Sequence, residues 1–304
     1  MRSGTVVLVL ALAGCTPFAG PAAKTSATAA RTSAAVTTVP ASTPTAVPSP
    51  VVITPPAATS AAASSPAVPT SSVAVRTSVA PGIGRVPAAS APVVVLDPGH
   101  NGGNASHPSI INAPVPDGDG GTKACNTTGT ATNAGYPEHA FTWDMALRVR
   151  ALLTAAGVRV VLSRPSDTGV GPCVDIRGRL GGRVGAAAFV GIHGDGAPAT
   201  GRGFHVITSS LDPAGAAVAA RSSALAHAVR DAMTAVEPVS NYLGAQGLDA
   251  RHDLAGLNLS TVPAIYIECG NMRNATDAAR MSSAAGREAL ARRLAAGILA
   301  FLGR

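Results

Sequence analysis

Pro92-Val93-Val94-Val95-Leu96 runs without interruption into Asp97-Pro98-Gly99-His100. Five apolar, mostly β-branched residues read as a strand buried on both faces, and the Asp-Pro-Gly that follows reads as a turn. The same layout recurs twice downstream. Ala186-Ala187-Ala188-Phe189-Val190-Gly191-Ile192 ends at His193, and Ala264-Ile265-Tyr266-Ile267 ends at Glu268. Val158–Leu162 and Gly203–Ile207 read as further strands. Helical patterns lie between them. Pro137 opens one at a favoured first-turn position, Phe141, Met145, Val149 and Leu152 follow at helical spacing, and Gly157 closes it. Asp175–Val184, Ala214–Val236 and Gly286–Leu302 read as three more. Strands alternating with helices predict an α/β fold: a three-layer domain whose mixed, largely parallel central sheet is flanked by helices. Residues 101–136 are rich in Gly, Asn, Thr and Pro with little periodicity, and read as one long loop.

Upstream of this domain the composition changes. Residues 16–90 are almost entirely Ala, Ser, Thr, Pro and Val, with no acidic residue and Phe18 as the sole aromatic. Such a segment cannot bury enough apolar surface to offset the entropy of ordering it, and reads as a disordered linker. Its 75 residues would span roughly 50 Å as a flexible coil and about 230 Å as polyproline helix. One globular domain is therefore expected at 91–304. Residues 1–14 place one Arg before a short apolar run, the layout of a secretory signal too short to span a bilayer. The run ends in Leu12-Ala13-Gly14-Cys15, which resembles a bacterial lipobox. That resemblance implies lipidation of Cys15 and a protein exported to the cell envelope and anchored to the outer face of the membrane; secretion without an anchor is the alternative.

The net charge of +7 invites a nucleic-acid reading, but its distribution argues against one. Arg2, Lys24, Arg31, Arg76 and Arg85 precede the domain, leaving 18 of the 23 basic residues against 16 acidic ones. With no dense Lys/Arg run interleaved with aromatics, nucleic acid is not an expected partner. Among the four cysteines, Cys125 and Cys173 lie in loop-like sequence of an exported chain and are expected to form a disulfide, whereas Cys269 reads as a small buried residue. A monomer is the default expectation.

His100, His193 and Glu268 share one topological position, the C-terminal end of an apolar strand, which is the sheet edge where open α/β folds bind ligands. Glu138 opens the helix after the long loop and can reach the same edge. Two histidines and a carboxylate are a catalytic zinc set that leaves one position for water, and a further unligated Glu supplies a proton carrier. His107, His139, His205, His227 and His252 are assigned no role, although His139 adjoins Glu138.

Four segments in this order resemble a family. Val94-Val95-Leu96-Asp97-Pro98-Gly99-His100, the Glu138-led helix, Val190-Gly191-Ile192-His193-Gly194-Asp195 and Val262-Pro263-Ala264-Ile265-Tyr266-Ile267-Glu268-Cys269-Gly270-Asn271-Met272 resemble the zinc-dependent N-acetylmuramoyl-L-alanine amidases of the amidase-3 type. The resemblance implies one Zn²⁺ held by His100, Glu138 and His193, with Glu268 as general base and acid. It implies peptidoglycan or a muropeptide as substrate, cut between N-acetylmuramic acid and the L-alanine of the stem peptide. Another zinc wall peptidase of carboxypeptidase type, or a non-catalytic wall-binding lipoprotein, are the competing readings. Two places depart from the family pattern: Gly191-Ile192 stands where a Ser is usual before the second His, and Cys269-Gly270-Asn271 where Gly-Phe is usual after the last Glu.

Overall fold

A computed structural model describes residues 91–304; the expected signal segment 1–14, the lipidation site Cys15 and the linker 16–90 lie outside the described residues. A six-stranded sheet carries the domain. Its strands are β1 (Val93–Pro98), β4 (Arg159–Leu162), β5 (Ala188–Asp195), β6 (His205–Ser209), β7 (Leu248–Arg251) and β8 (Ala264–Asn271), in the spatial order β4-β1-β5-β8-β6-β7. The first four run parallel, β6 pairs antiparallel with β8, and β7 runs parallel to β6. The mixed, mostly parallel sheet expected from the sequence is therefore present.

The alternation of side chains along the strands builds two cores. Val94, Leu96, Val190, Ile192, Ile265 and Ile267 face helices α2 (Glu138–Ala155), α4 (Ala216–Met233) and α7 (Ala284–Phe301). Val93, Val95, Phe189, Ile207 and Tyr266 face the other way, against α3 (Val174–Arg183) and the short α5 (Ala255–Asn258). On α2, Phe141, Met145, Val149 and Leu153 are fully buried, while Leu152 is only partly so. Pro137 does not enter this helix: it is the extended N-cap, and Glu138 is the first helical residue. Gly157 follows the helix at φ +77°, a conformation that suits glycine.

Residues 101–136 are not one structureless loop. A 3₁₀ turn (Asn104–Ser106), helix α1 (Pro108–Ile111) and a hairpin of β2 (Pro114–Pro116) with β3 (Thr122–Ala124) occupy them. Their polar, proline-containing three- and four-residue elements carry no readable hydrophobic period. Cys125, directly after β3, is joined to Cys173, the N-cap of α3, in the expected disulfide. The bond fastens the end of the β2–β3 hairpin to the helix that covers the site-bearing face of the sheet. Cys269 is buried and unpaired. Helix α6 (Ala275–Ser282) is a further element beyond those read from the sequence.

Candidate active site

Each strand end delivers one group to the same edge. β1 ends in a turn that places His100 at φ +59°, an unusual conformation for a residue with a Cβ. Two buried arginines hold that turn. Arg177 donates to Asp97 Oδ1 at 3.0 Å, to the Pro98 carbonyl at 2.9 Å and to the His100 carbonyl at 3.1 Å. Arg164 donates through Nε to the Pro98 carbonyl at 2.9 Å, and through Nη1 to Asn101 and Asp167 at 2.9 and 2.8 Å. Burial pulls the Arg164 guanidinium down to about 10, with Asp167 opposing the shift, so it stays charged at neutral pH. Asp97 also accepts from the Ser163 hydroxyl.

Glu138, His100 and His193 converge on one point. Glu138 Oε2 lies 3.0 Å from His100 Nε2, and Oε1 lies 3.1 Å from His193 Nδ1. Backbone N–H groups of Thr130 and Gly194 donate to the two carboxylate oxygens at 2.9 and 3.1 Å, fixing the carboxylate plane. His100 Nδ1 faces the Thr127 carbonyl at 3.1 Å; donation there leaves Nε2 with its lone pair toward the centre. Close packing leaves no room for larger residues nearby. A Cβ on Gly99 would overlap the His193 ring, and one on Gly129 would come within 2.7 Å of Glu138 Oε2. One donor atom from each of the three side chains lies within 4.8 Å of the others. Two imidazole nitrogens and a carboxylate oxygen at that spacing fit a zinc ion with an open position.

Electrostatics sets these carboxylates apart. Burial would raise the Glu138 carboxyl, but the opposing His100 and His193 imidazoles more than offset it and hold it well below the usual carboxylate range. His100 rises: burial opposes its charge, and Glu138 outweighs that. Glu268 moves the other way, pushed well up by burial and by the negative charges of Glu138 and Asp195. It is the strand partner of His193, lines the same cavity of about 300 Å³, and its Oε2 has no hydrogen-bond partner among the described residues.

The remaining histidines sit elsewhere. His139 pairs with Asp167 at 2.8 Å, His107 faces the Gly103 carbonyl, and His227 faces the Ser223 carbonyl. His205 is buried across from Glu268 on β6, with neither ring nitrogen bonded among the described residues. Sequence reasoning gave no role to the residues that brace the site: Asp97, Arg164, Arg177 and Tyr266. Asp97 carried one usable signal, since an acid closing an apolar strand needs a buried cation. The departure at Gly191 also has a structural reason. A Cβ there would overlap the Tyr266 ring, which lies across the neighbouring strand and stacks on His193 at 5.0 Å.

The sequence profile of one family, described as N-acetylmuramoyl-L-alanine amidase, matches residues 94–300. The chain belongs to that family. It is 47% identical over 232 residues to the N-acetylmuramoyl-L-alanine amidase Rv3717 of Mycobacterium tuberculosis, covering 76% of this chain and 95% of that protein. Among solved structures it is similar to the N-acetylmuramyl-L-alanine amidase Ami1 of Mycobacterium smegmatis, with 50% identity, a TM-score of 0.67, and coverage of 70% of this chain and 97% of the other. Ami1 of Mycobacterium abscessus, solved in its apo form, gives 47% identity, a TM-score of 0.66, and 69% and 98% coverage. The chain is thus an amidase that hydrolyses the bond between N-acetylmuramic acid and the L-alanine of the peptidoglycan stem peptide.

Proposed function

We propose that this amidase works by metal-assisted hydrolysis, with zinc held by His100, Glu138 and His193 and with Glu268 as the proton carrier. The convergence of three donor atoms within 4.8 Å, beside a Glu268 Oε2 that is buried without a hydrogen-bond partner among the described residues, supports this reading most strongly. When bound, the ion supplies Lewis acidity toward the amide carbonyl, acidifies water, and adds positive charge that opposes the burial of Glu268. The chain's own groups do the rest. Thr130 and Gly194 keep the Glu138 carboxylate in place, and Thr127 sets the His100 tautomer. Glu268 takes a proton from the attacking water and returns it to the L-alanine nitrogen as the C–N bond breaks, so that the peptide leaves as a neutral amine.

We further propose the division into signal (1–14), lipidated Cys15 with linker (15–90) and catalytic domain (91–304), acting as an exported monomer tethered to the outer face of the membrane. Leu12-Ala13-Gly14-Cys15 supports the tether, and a linker long enough to reach wall polymer is compatible with it. Digestion of a defined muropeptide by the full chain tests the activity. An intact stem peptide with a free L-alanine amine, lost on chelation and restored by zinc, is expected; cleavage inside the stem would point to the carboxypeptidase alternative.

A further inference from the structure

The cavity that holds Glu268 extends over the sheet toward two cations that the hydrolytic step does not use. Lys123 on β3 and Arg251 on β7 both line it. They meet on one residue. The Asp253 carboxylate accepts from Arg251 Nε at 2.8 Å and Nη2 at 2.6 Å, and the Asp253 carbonyl accepts from Lys123 Nζ at 2.5 Å. Arg251 is thus paired with the Asp253 carboxylate, whereas Lys123 meets only that residue's backbone carbonyl and makes no direct ion pair among the described residues. Asp253 holds the guanidinium by one edge, and Arg251 Nη1 has no hydrogen bond among the described residues. Lys123 also keeps N–H groups beyond the one given to Asp253. A fixed guanidinium edge beside an ammonium suits a carboxylate.

Strand register gives the separation. Glu268 pairs with His205 on β6, and four residues further along β6 Ser209 pairs with Arg251 on β7. The offset is about 13 Å along the strands and about 10 Å across them, or roughly 16 Å between backbones. Both residues line one cavity, and side chains extended toward each other across it would leave roughly 7–10 Å, the length of two or three extended residues. A stem peptide lying in this groove, with its first amide at Glu268, brings its second or third residue to the cations.

We propose that Lys123 and Arg251 form a carboxylate-binding subsite that selects stem peptides bearing a free carboxylate on the second or third residue over their amidated counterparts. This rests on the amidase reading above and adds the substrate class. The test uses muramyl peptides identical except for carboxylate or carboxamide at each of those two positions. Cleavage by the full chain is followed as kcat/KM, and binding of the free stem peptides is followed by calorimetry. The wild type is expected to favour the carboxylate at one position by about tenfold or more, the worth of one charge-assisted hydrogen bond. In Lys123→Met and Arg251→Met the carboxylate-to-carboxamide ratio falls toward one, through KM, and the product-peptide affinities converge in parallel. Lys123→Met carries the test on its own should Arg251→Met fail to fold. A wild-type ratio near one at both positions, or a ratio that neither variant moves while both substrates slow equally, overturns the subsite and leaves the amidase intact. Failure of the wild type to release stem peptide from any of the substrates would overturn the amidase reading itself.

Discussion

Replacing Arg177 by Met removes the guanidinium that secures the His100 turn while keeping an unbranched apolar stem in its place. Arg177 and Asp97 are each 2% exposed and 3.0 Å apart. The variant leaves the Asp97 carboxylate with the Ser163 hydroxyl and frees the carbonyls of His100 and Pro172, while Pro98 keeps its bond from Arg164. Breaking one side of a buried pair costs about 3–5 kcal/mol, a large share of the roughly 5–15 kcal/mol that a domain has. With a urea slope of about 2.5 kcal/mol/M, a loss of about 4 kcal/mol moves the unfolding midpoint down by about 1.6 M. Because the same guanidinium fixes the His100 backbone, zinc affinity measured by chelator competition is expected to drop about 10- to 100-fold. Asp97→Asn in the Arg177→Met background removes the stranded charge and should recover part of the stability, giving a favourable coupling in the double-mutant cycle. A loss under about 1 kcal/mol with unchanged zinc affinity, or strict additivity of the two substitutions, would refute the reasoning.

Other consequences follow from single contacts. Gly191→Ala forces a methyl into the Tyr266 ring, and should lower stability by about 1–3 kcal/mol in thermal melts, with a smaller residue at 266 relieving it. Replacing Cys125 and Cys173 together by Ala opens a crosslink spanning 48 residues; chain entropy puts the loss at about 4 kcal/mol, read as a lower urea midpoint than the oxidised wild type. Asp144 on α2 accepts from Arg148 at 2.7 Å and from Arg287 of α7 at 2.5 Å. Partial burial raises its carboxyl, but the two arginines outweigh that and hold it below its ordinary value of 3.8. A depressed folded-state value means stability that is fully present above the ordinary carboxyl value and is lost as pH falls through the depressed one. Asp144→Asn should therefore flatten the acid limb of the stability–pH curve relative to wild type; curves that stay parallel would remove Asp144 from the account.

The residues that were legible in the sequence share a cause. β1, β5 and β8 are buried on both faces, so Val94, Val190 and Ile265 lie in near-continuous apolar runs that end abruptly at polar groups. His100, His193 and Glu268 stood out because that break is visible without knowing what lies opposite. β7 did not stand out. Leu248-Asp249-Ala250-Arg251 is an edge strand, where charge guards against unwanted pairing and removes the apolar signature. Arg164 and Arg177 carry no signal in the sequence, since their burial depends on acceptors 63–80 positions away in the chain. The Gly191–Tyr266 exchange was equally hidden, because each half makes sense only across the strand pair.

The central claim is that His100, Glu138 and His193 hold the metal while Glu268, unligated, moves the proton. Glu268→Ala, measured for zinc content and for stem-peptide release beside the wild type, tests it most directly. The account predicts one zinc per chain in both proteins and turnover lower in the variant by about 10²- to 10⁴-fold. A zinc-loaded variant that releases stem peptide at the wild-type rate would contradict it, as would loss of zinc with loss of Glu268.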